Sequence, residues 1–107
     1  MLDVGAGYLI TPIEMGLRIT FGKHVEEKDE FGSSSIKSRL EDVHEAFADQ
    51  TIKMVLCARG GYNANQLLTH LDYRLIQRNP KILCGYSDIT VLSQAIFKKT
   101  GLVSYSG

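Results

Sequence analysis

Ser87 is the residue whose setting points most directly to chemistry. It stands in Lys81-Ile-Leu-Cys-Gly-Tyr-Ser-Asp-Ile-Thr-Val-Leu-Ser93, an apolar run that turns at Gly85-Tyr86-Ser87-Asp88 into a helical pattern. A serine at a tight bend between strand and helix is held up for attack on a carbonyl, and the helix's first turn offers N–H groups to the developing oxyanion. The motif is weak on its own, because Ile89 stands where such elbows usually carry a second glycine. Ser87 or Asp88 would serve equally well as the N-cap of the next helix.

A second feature adds to it. Arg59-Gly60-Gly61-Tyr62-Asn63-Ala64-Asn65 is a glycine-bearing loop between an apolar run and a helical one. Its glycines allow close backbone approach to a substrate, and their N–H groups can point at negative charge. A tight turn capped by Asn63 accounts for the same residues. A phosphate loop is a third reading, but the Walker lysine pattern is missing.

The elements that must position these loops are set by periodicity. Leu17 to Phe21 alternates as a short strand, and Val25 to Ser35 is a polar surface excursion. Ser35 to Ala48 carries Ile36, Leu40, Val43 and Phe47 at helical spacing, with serines to cap its start. Lys53 to Ala58 reads as a strand covered on both faces, Ala64 to Leu71 and Tyr73 to Gln77 as helices, and Ile82 to Cys84 as a strand after Asn79-Pro80. Asp88 to Lys99 is a helix with Ile89, Leu92, Ile96 and Phe97 inward, stopped by Gly101. Leu102 to Tyr105 supplies the last strand. Alternating strands and helices predict an α/β fold, doubly wound around a mostly parallel sheet. Ligands bind such sheets at the carboxyl ends of strands, where Gly60-Gly61 and Ser87 both fall.

Composition narrows the function. At 107 residues, 44% hydrophobic and 22% charged, the chain suits one globular domain. Twelve basic and twelve acidic residues cancel, which argues against nucleic acid or an anionic membrane as partner. No apolar run reaches the roughly 20 residues of a membrane span, and no leader pattern opens the chain, so a cytoplasmic setting is expected. Cys57 and Cys84 sit in apolar runs as small hydrophobes, with no Cys-x-x-Cys or close histidine to suggest a metal.

Together these motifs resemble the serine LD-carboxypeptidases of peptidase family S66, which include the microcin C immunity-type peptidases. The resemblance runs in order through Gly22-Lys23-His24, Leu40-Glu-Asp-Val-His-Glu-Ala-Phe-Ala-Asp49, Arg59-Gly-Gly-Tyr62, Asn65-Gln-Leu-Leu68, Leu71-Asp-Tyr73, Asn79-Pro-Lys81, Gly85-Tyr-Ser-Asp-Ile-Thr90, Thr100-Gly-Leu-Val103 and Tyr105-Ser-Gly107. It implies a flavodoxin-like domain and a Ser-Glu-His triad in which Ser87 attacks an amide. The oxyanion hole would be the backbone N–H groups of Asp88 and Gly61, with Gly60 and Tyr62 binding substrate and no cofactor or metal. The substrate class would be murein tetrapeptide or a peptidyl-nucleotide antibiotic.

The resemblance also implies that residues 1–107 form a single nucleophile-bearing N-terminal domain, with the glutamate and histidine on a C-terminal domain absent from this chain. His24, His44 and His70 occupy none of the family's base positions and suit surface or capping roles. Met1 to Ile13 does not resemble the family's opening strand and helix, so the first strand is expected to be degraded or missing. Exposed edges then favour a homodimer, or dependence on the missing domain. The competing reading is a non-catalytic remnant that acts as a binding or interaction module.

Overall fold

The structure, a computed structural model, describes Gly16 and residues 18–24, 35–57 and 64–106. Helix α1 spans Ile36–Ala48. Its start is fixed by the Ser35 hydroxyl, which accepts the Ser38 N–H at 3.1 Å and so satisfies one of the first-turn donors that have no partner within the helix. Its apolar stripe buries Val43, Ala46 and Phe47, whereas Ile36, in the first turn, is 37% exposed.

Strands β1 (Met54–Leu56), β2 (Ile82–Gly85) and β3 (Tyr105–Ser106) form a parallel sheet in that order. Successive side chains on a strand point to opposite faces, so register partners share a face. Val55 lies opposite Leu83, and both are buried; Met54 lies opposite Ile82, and both are exposed. The buried face is covered by α1, α2 (Tyr73–Arg78), α3 (Ile89–Thr100) and the 3-10 turn Ala64–Leu67, which share one core. Phe47, Ile76 and Ile96 lie at its centre, and each such side chain contributes about 1.5–3 kcal/mol on burial. The fold is the α/β arrangement expected from the alternating pattern, and among the described residues its helices stand on one face of the sheet.

Four features differ from the sequence pattern. Residues 18–21 join no ladder; the segment is tied down instead at His24, whose N–H donates to the Asp42 carboxylate at 3.1 and 3.2 Å. The expected helix from Ala64 shortens to one 3-10 turn followed by turns at 68–70. The last strand is two residues long, and ahead of it the Leu102 N–H is taken by the Thr100 hydroxyl. Phe97 is 56% exposed rather than inward, since it lies about 100° around the helix from buried Ile96. Gly101 ends α3 as expected, at φ 78° with its N–H on the Phe97 carbonyl.

Between α1 and β1 the chain is held from outside. The Lys81 ammonium donates to the carbonyls of Asp49 and Ile52, each at 2.6 Å.

Asp42 is buried, and desolvation pushes its carboxyl up from the ordinary 3.8, with the His24 N–H pulling it down less strongly. A carboxyl raised by folding binds protons more tightly in the native state. Its contribution to stability is therefore lost as pH rises from 3.8 through the raised value. Asp42→Asn keeps an acceptor for His24 and removes this titration. The unfolding free energy of Asp42→Asn relative to wild type should rise with pH across that window and then level off; a difference that falls with pH would contradict the assignment.

Neither cysteine is in a disulfide. Cys84 is the register partner of Leu56, so Cys57, one residue on, points to the opposite face. Burial pushes the Cys57 thiol up to about 12. At neutral pH a thiol reagent should modify the half-buried Cys84 in the folded chain and leave Cys57 untouched until denaturant is added. Equal rates at both sites in the folded state would refute this.

Candidate active site

Strand β2 ends at Gly85, and α3 begins four residues later at Ile89. A Cβ added to Gly85 would lie 2.6 Å from Ile89 Cγ2 and 3.1 Å from Cys57 Cβ, so only glycine fits between the helix and the neighbouring strand. The chain must therefore reverse within Tyr86-Ser87-Asp88. It does so by placing Ser87 at φ 58°, the one positive φ among the described non-glycine residues. This left-handed backbone costs a residue with a Cβ about 1–2 kcal/mol. Ser87 is exposed at the carboxyl end of β2, beside exposed Tyr86.

The turn's hydrogen bonds are short-range. The N–H groups of Ile89, Thr90 and Val91 donate to the carbonyls of Tyr86, Ser87 and Asp88 at 3.0–3.3 Å. The Asp88 N–H has no acceptor among the described residues, which leaves a donor beside the serine. Such a donor is what an oxyanion requires.

Asp88 occupies the N-cap position of α3, but its side chain makes no capping bond. Its carboxylate reaches across to accept the Ala64 N–H at 2.7 Å. Ala64 is buried and opens the 3-10 turn. At the other end, the Cys57 N–H donates to the Cys84 carbonyl at 2.9 Å. The six residues between these anchors, 58–63, contain Gly60, Gly61 and Tyr62; the three sequence-predicted site residues lie outside the described residues, as does Asn63. Both ends of that loop are thus tied to the Cys84–Asp88 stretch that carries Ser87.

Two of the three histidines are engaged elsewhere. His24 Nε2 lies 2.9 Å from Glu41 Oε2, and this contact holds the Glu41 carboxyl below its usual range. His44 Nε2 accepts the Asp72 N–H at 3.0 Å, just ahead of α2. His70 is exposed on the 68–70 turn. Sequence patterns missed the Asp88 carboxylate, because its partner lies 24 residues away and only the fold brings the two together. No helix among the described residues is long and apolar enough to cross a membrane.

Residues 7–107 match the family model for the LD-carboxypeptidase N-terminal domain. The structure superimposes on an MccF-like protein from Bacillus anthracis with a TM-score of 0.91 at 56% identity, covering 92% of this chain and 30% of that one. A second neighbour is the microcin C7 self-immunity protein MccF, a protein of Escherichia coli, in complex with aspartyl sulfamoyl adenosine. There the TM-score is 0.86 at 36% identity, covering 90% of this chain and 29% of that one. The murein tetrapeptide carboxypeptidase of Pseudomonas aeruginosa is 42% identical over 93 residues, covering 86% of this chain and 30% of the relative. The chain spans less than a third of the length of each of these relatives.

The backbone at Ser87 has a measurable consequence. Glycine tolerates a left-handed φ that alanine and serine resist. In urea denaturation Ser87→Gly should exceed Ser87→Ala in stability by about 1 kcal/mol. Equal stabilities, or a deficit for the glycine variant, would mean that the turn is unstrained.

Proposed function

This chain belongs to the LD-carboxypeptidase family through its N-terminal domain, and from that premise we propose that it carries the nucleophile of a serine hydrolase that cleaves an amide bond. The observation that carries this reading is Ser87 at φ 58°, exposed at the carboxyl end of a parallel strand beside an N–H with no acceptor among the described residues. A hydroxyl lifted out of the sheet in this way can attack a carbonyl carbon whose oxygen is turned toward the oxyanion donors.

In this reading Ser87 Oγ attacks the scissile carbonyl and passes its proton to a base. The carbonyl oxygen becomes an oxyanion held by the N–H groups of Asp88 and Gly61, with Gly60 and Tyr62 lining the substrate path. The leaving amine takes the proton, and water then hydrolyses the acyl-serine. The base and its orienting carboxylate are a histidine and a glutamate of the polypeptide that makes up the remainder of full-length family members. His24 and His44 already have partners on α1 and at the start of α2, which supports an external base. Without such a base the serine stays protonated and is a poor nucleophile.

The substrate class is drawn from the relatives' names: an LD-peptide of murein origin, or an aminoacyl sulfamoyl nucleoside of the kind bound to MccF. Both present an amide or amide-like carbonyl to the serine. Two cysteines outside any disulfide accord with a reducing, cytoplasmic setting.

The test is a chimera in which residues 1–107 replace the matching domain of a full-length relative. It should hydrolyse an LD-tetrapeptide or aspartyl sulfamoyl adenosine, the two arms separating the substrate classes. Ser87→Ala should lower kcat by several orders of magnitude, while the 107-residue chain alone should turn over neither substrate. A chimera that folds and binds but shows no hydrolysis on either arm would replace this reading with that of a non-catalytic binding module, and one whose activity survives Ser87→Ala would remove Ser87 as the nucleophile.

A further inference from the structure

We propose that Ser106 is a specificity-determining residue whose hydroxyl hydrogen-bonds a polar backbone group of the substrate on the β3 side of the elbow. The inference rests on the serine-hydrolase reading above and extends it to β3, for which that reading has no role.

Three observations lead to it. The first is position: β2 and β3 are parallel, with Gly85 the register partner of Ser106, so both strands end at the edge that carries Ser87. Neighbouring strands lie about 4.8 Å apart, and the two residues from Gly85 to Ser87 span at most about 7 Å. The Cα atoms of Ser106 and Ser87 are therefore no more than about 12 Å apart, within the length of an extended tetrapeptide.

The second is direction. Register partners share a face, and a Cβ on Gly85 would point at Ile89, in the first turn of α3. The Ser106 side chain thus stands on the face where the turn after Ser87 runs into its helix. That helix does not cover it, for Ser106 is exposed.

The third is what this hydroxyl is not used for. Hydroxyls elsewhere in the fold are committed to structure: Ser35 to Ser38, Thr51 to Asp49, Thr100 to the Ile96 carbonyl. Thr51 is itself exposed, so access to solvent does not prevent such a bond. The Ser106 hydroxyl has no partner among the described residues.

A peptide whose carbonyl is held at Ser87 has backbone N–H and C=O groups that lose water at the sheet edge and need partners. A serine hydroxyl both donates and accepts, so it can serve either. A neutral bond formed away from the scissile carbonyl is equally strong in the ground state and the transition state. It therefore acts on KM and leaves kcat alone.

The experiment uses the same chimera with Ser106→Val and Ser106→Thr, two side chains of one shape that differ in the hydroxyl. Both are β-branched and suit a strand. On each substrate that the chimera hydrolyses, Ser106→Val should raise KM by about 3- to 10-fold with kcat nearly unchanged, the loss expected of one neutral hydrogen bond. Ser106→Thr should recover most of that loss. Calorimetric Kd values for LD-tetrapeptide and aspartyl sulfamoyl adenosine, measured in the Ser87→Ala background, should show the same ratio without turnover.

The inference is overturned if KM and Kd are indifferent to Ser106→Val, if the loss falls on kcat, if threonine gives no recovery, or if neither ligand binds. The two levels separate. If Ser87→Ala stays active, or the chimera binds without hydrolysing, the hydrolase reading has failed, and the valine–threonine difference in Kd still decides the role of Ser106. If Ser87→Ala is inactive while Ser106→Val matches wild type, the role of Ser106 alone has failed.

Discussion

Between the end of β2 and the start of α3 there is room for a hydrogen atom but not for a methyl group. A side chain on Gly85 would run into both Ile89 and Cys57, so the strand and the next helix pack as closely as backbone allows. That contact forces the short turn, the left-handed Ser87 and the exposure of its hydroxyl. The same closeness brings the end of β1 against the elbow, so that Cys57 and Cys84 share a backbone bond there. The candidate site is therefore a product of packing as much as of the residues that would do its chemistry.

Much of the architecture was legible in the sequence because its causes are local. Ser35 with a periodic apolar stripe behind it defines α1, Asn79-Pro80 closes α2, and Gly101 closes α3. The Gly-Tyr-Ser-Asp turn marked the elbow for the same reason. The features that escaped the sequence are set by distant partners. The turn at Ala64 is short, and its first N–H is claimed by Asp88 24 residues away. Residues 18–21 looked like a strand, yet the chain just beyond them, at His24, is fastened to a helix through Asp42. Phe97 passed for core because apolar character alone does not tell inward from outward one residue beyond Ile96.

Two of these distant contacts use one device. The Asp42 carboxylate accepts the His24 N–H across 18 residues, and the Asp88 carboxylate accepts the Ala64 N–H across 24. In both, an acid on or beside a helix accepts a backbone N–H from a segment distant in sequence. Buried Asp42 is the more desolvated of these acids, and the physical cost appears in its raised carboxyl. Half-buried Asp88 holds the first N–H of the 3-10 turn.

Lys81 completes a symmetry between the two ends of the sheet. Its ammonium binds the Asp49 and Ile52 carbonyls where β1 is about to begin, and Lys81 itself immediately precedes β2, whose Ile82 N–H donates to the Lys53 carbonyl. The amino ends of β1 and β2 are pinned by a cation, and their carboxyl ends are joined through Cys57–Cys84. A parallel pair with three register partners could otherwise slide by one residue during assembly, pairing Val55 with Ile82 or Cys84 and turning Leu83 to the face opposite Val55. Such a slipped intermediate would lose the lysine's two carbonyls at one end and Asp88's grip on Ala64 at the other. Lys81 is thus a contact that favours the observed register over the slipped one, at the end of the sheet opposite the candidate site.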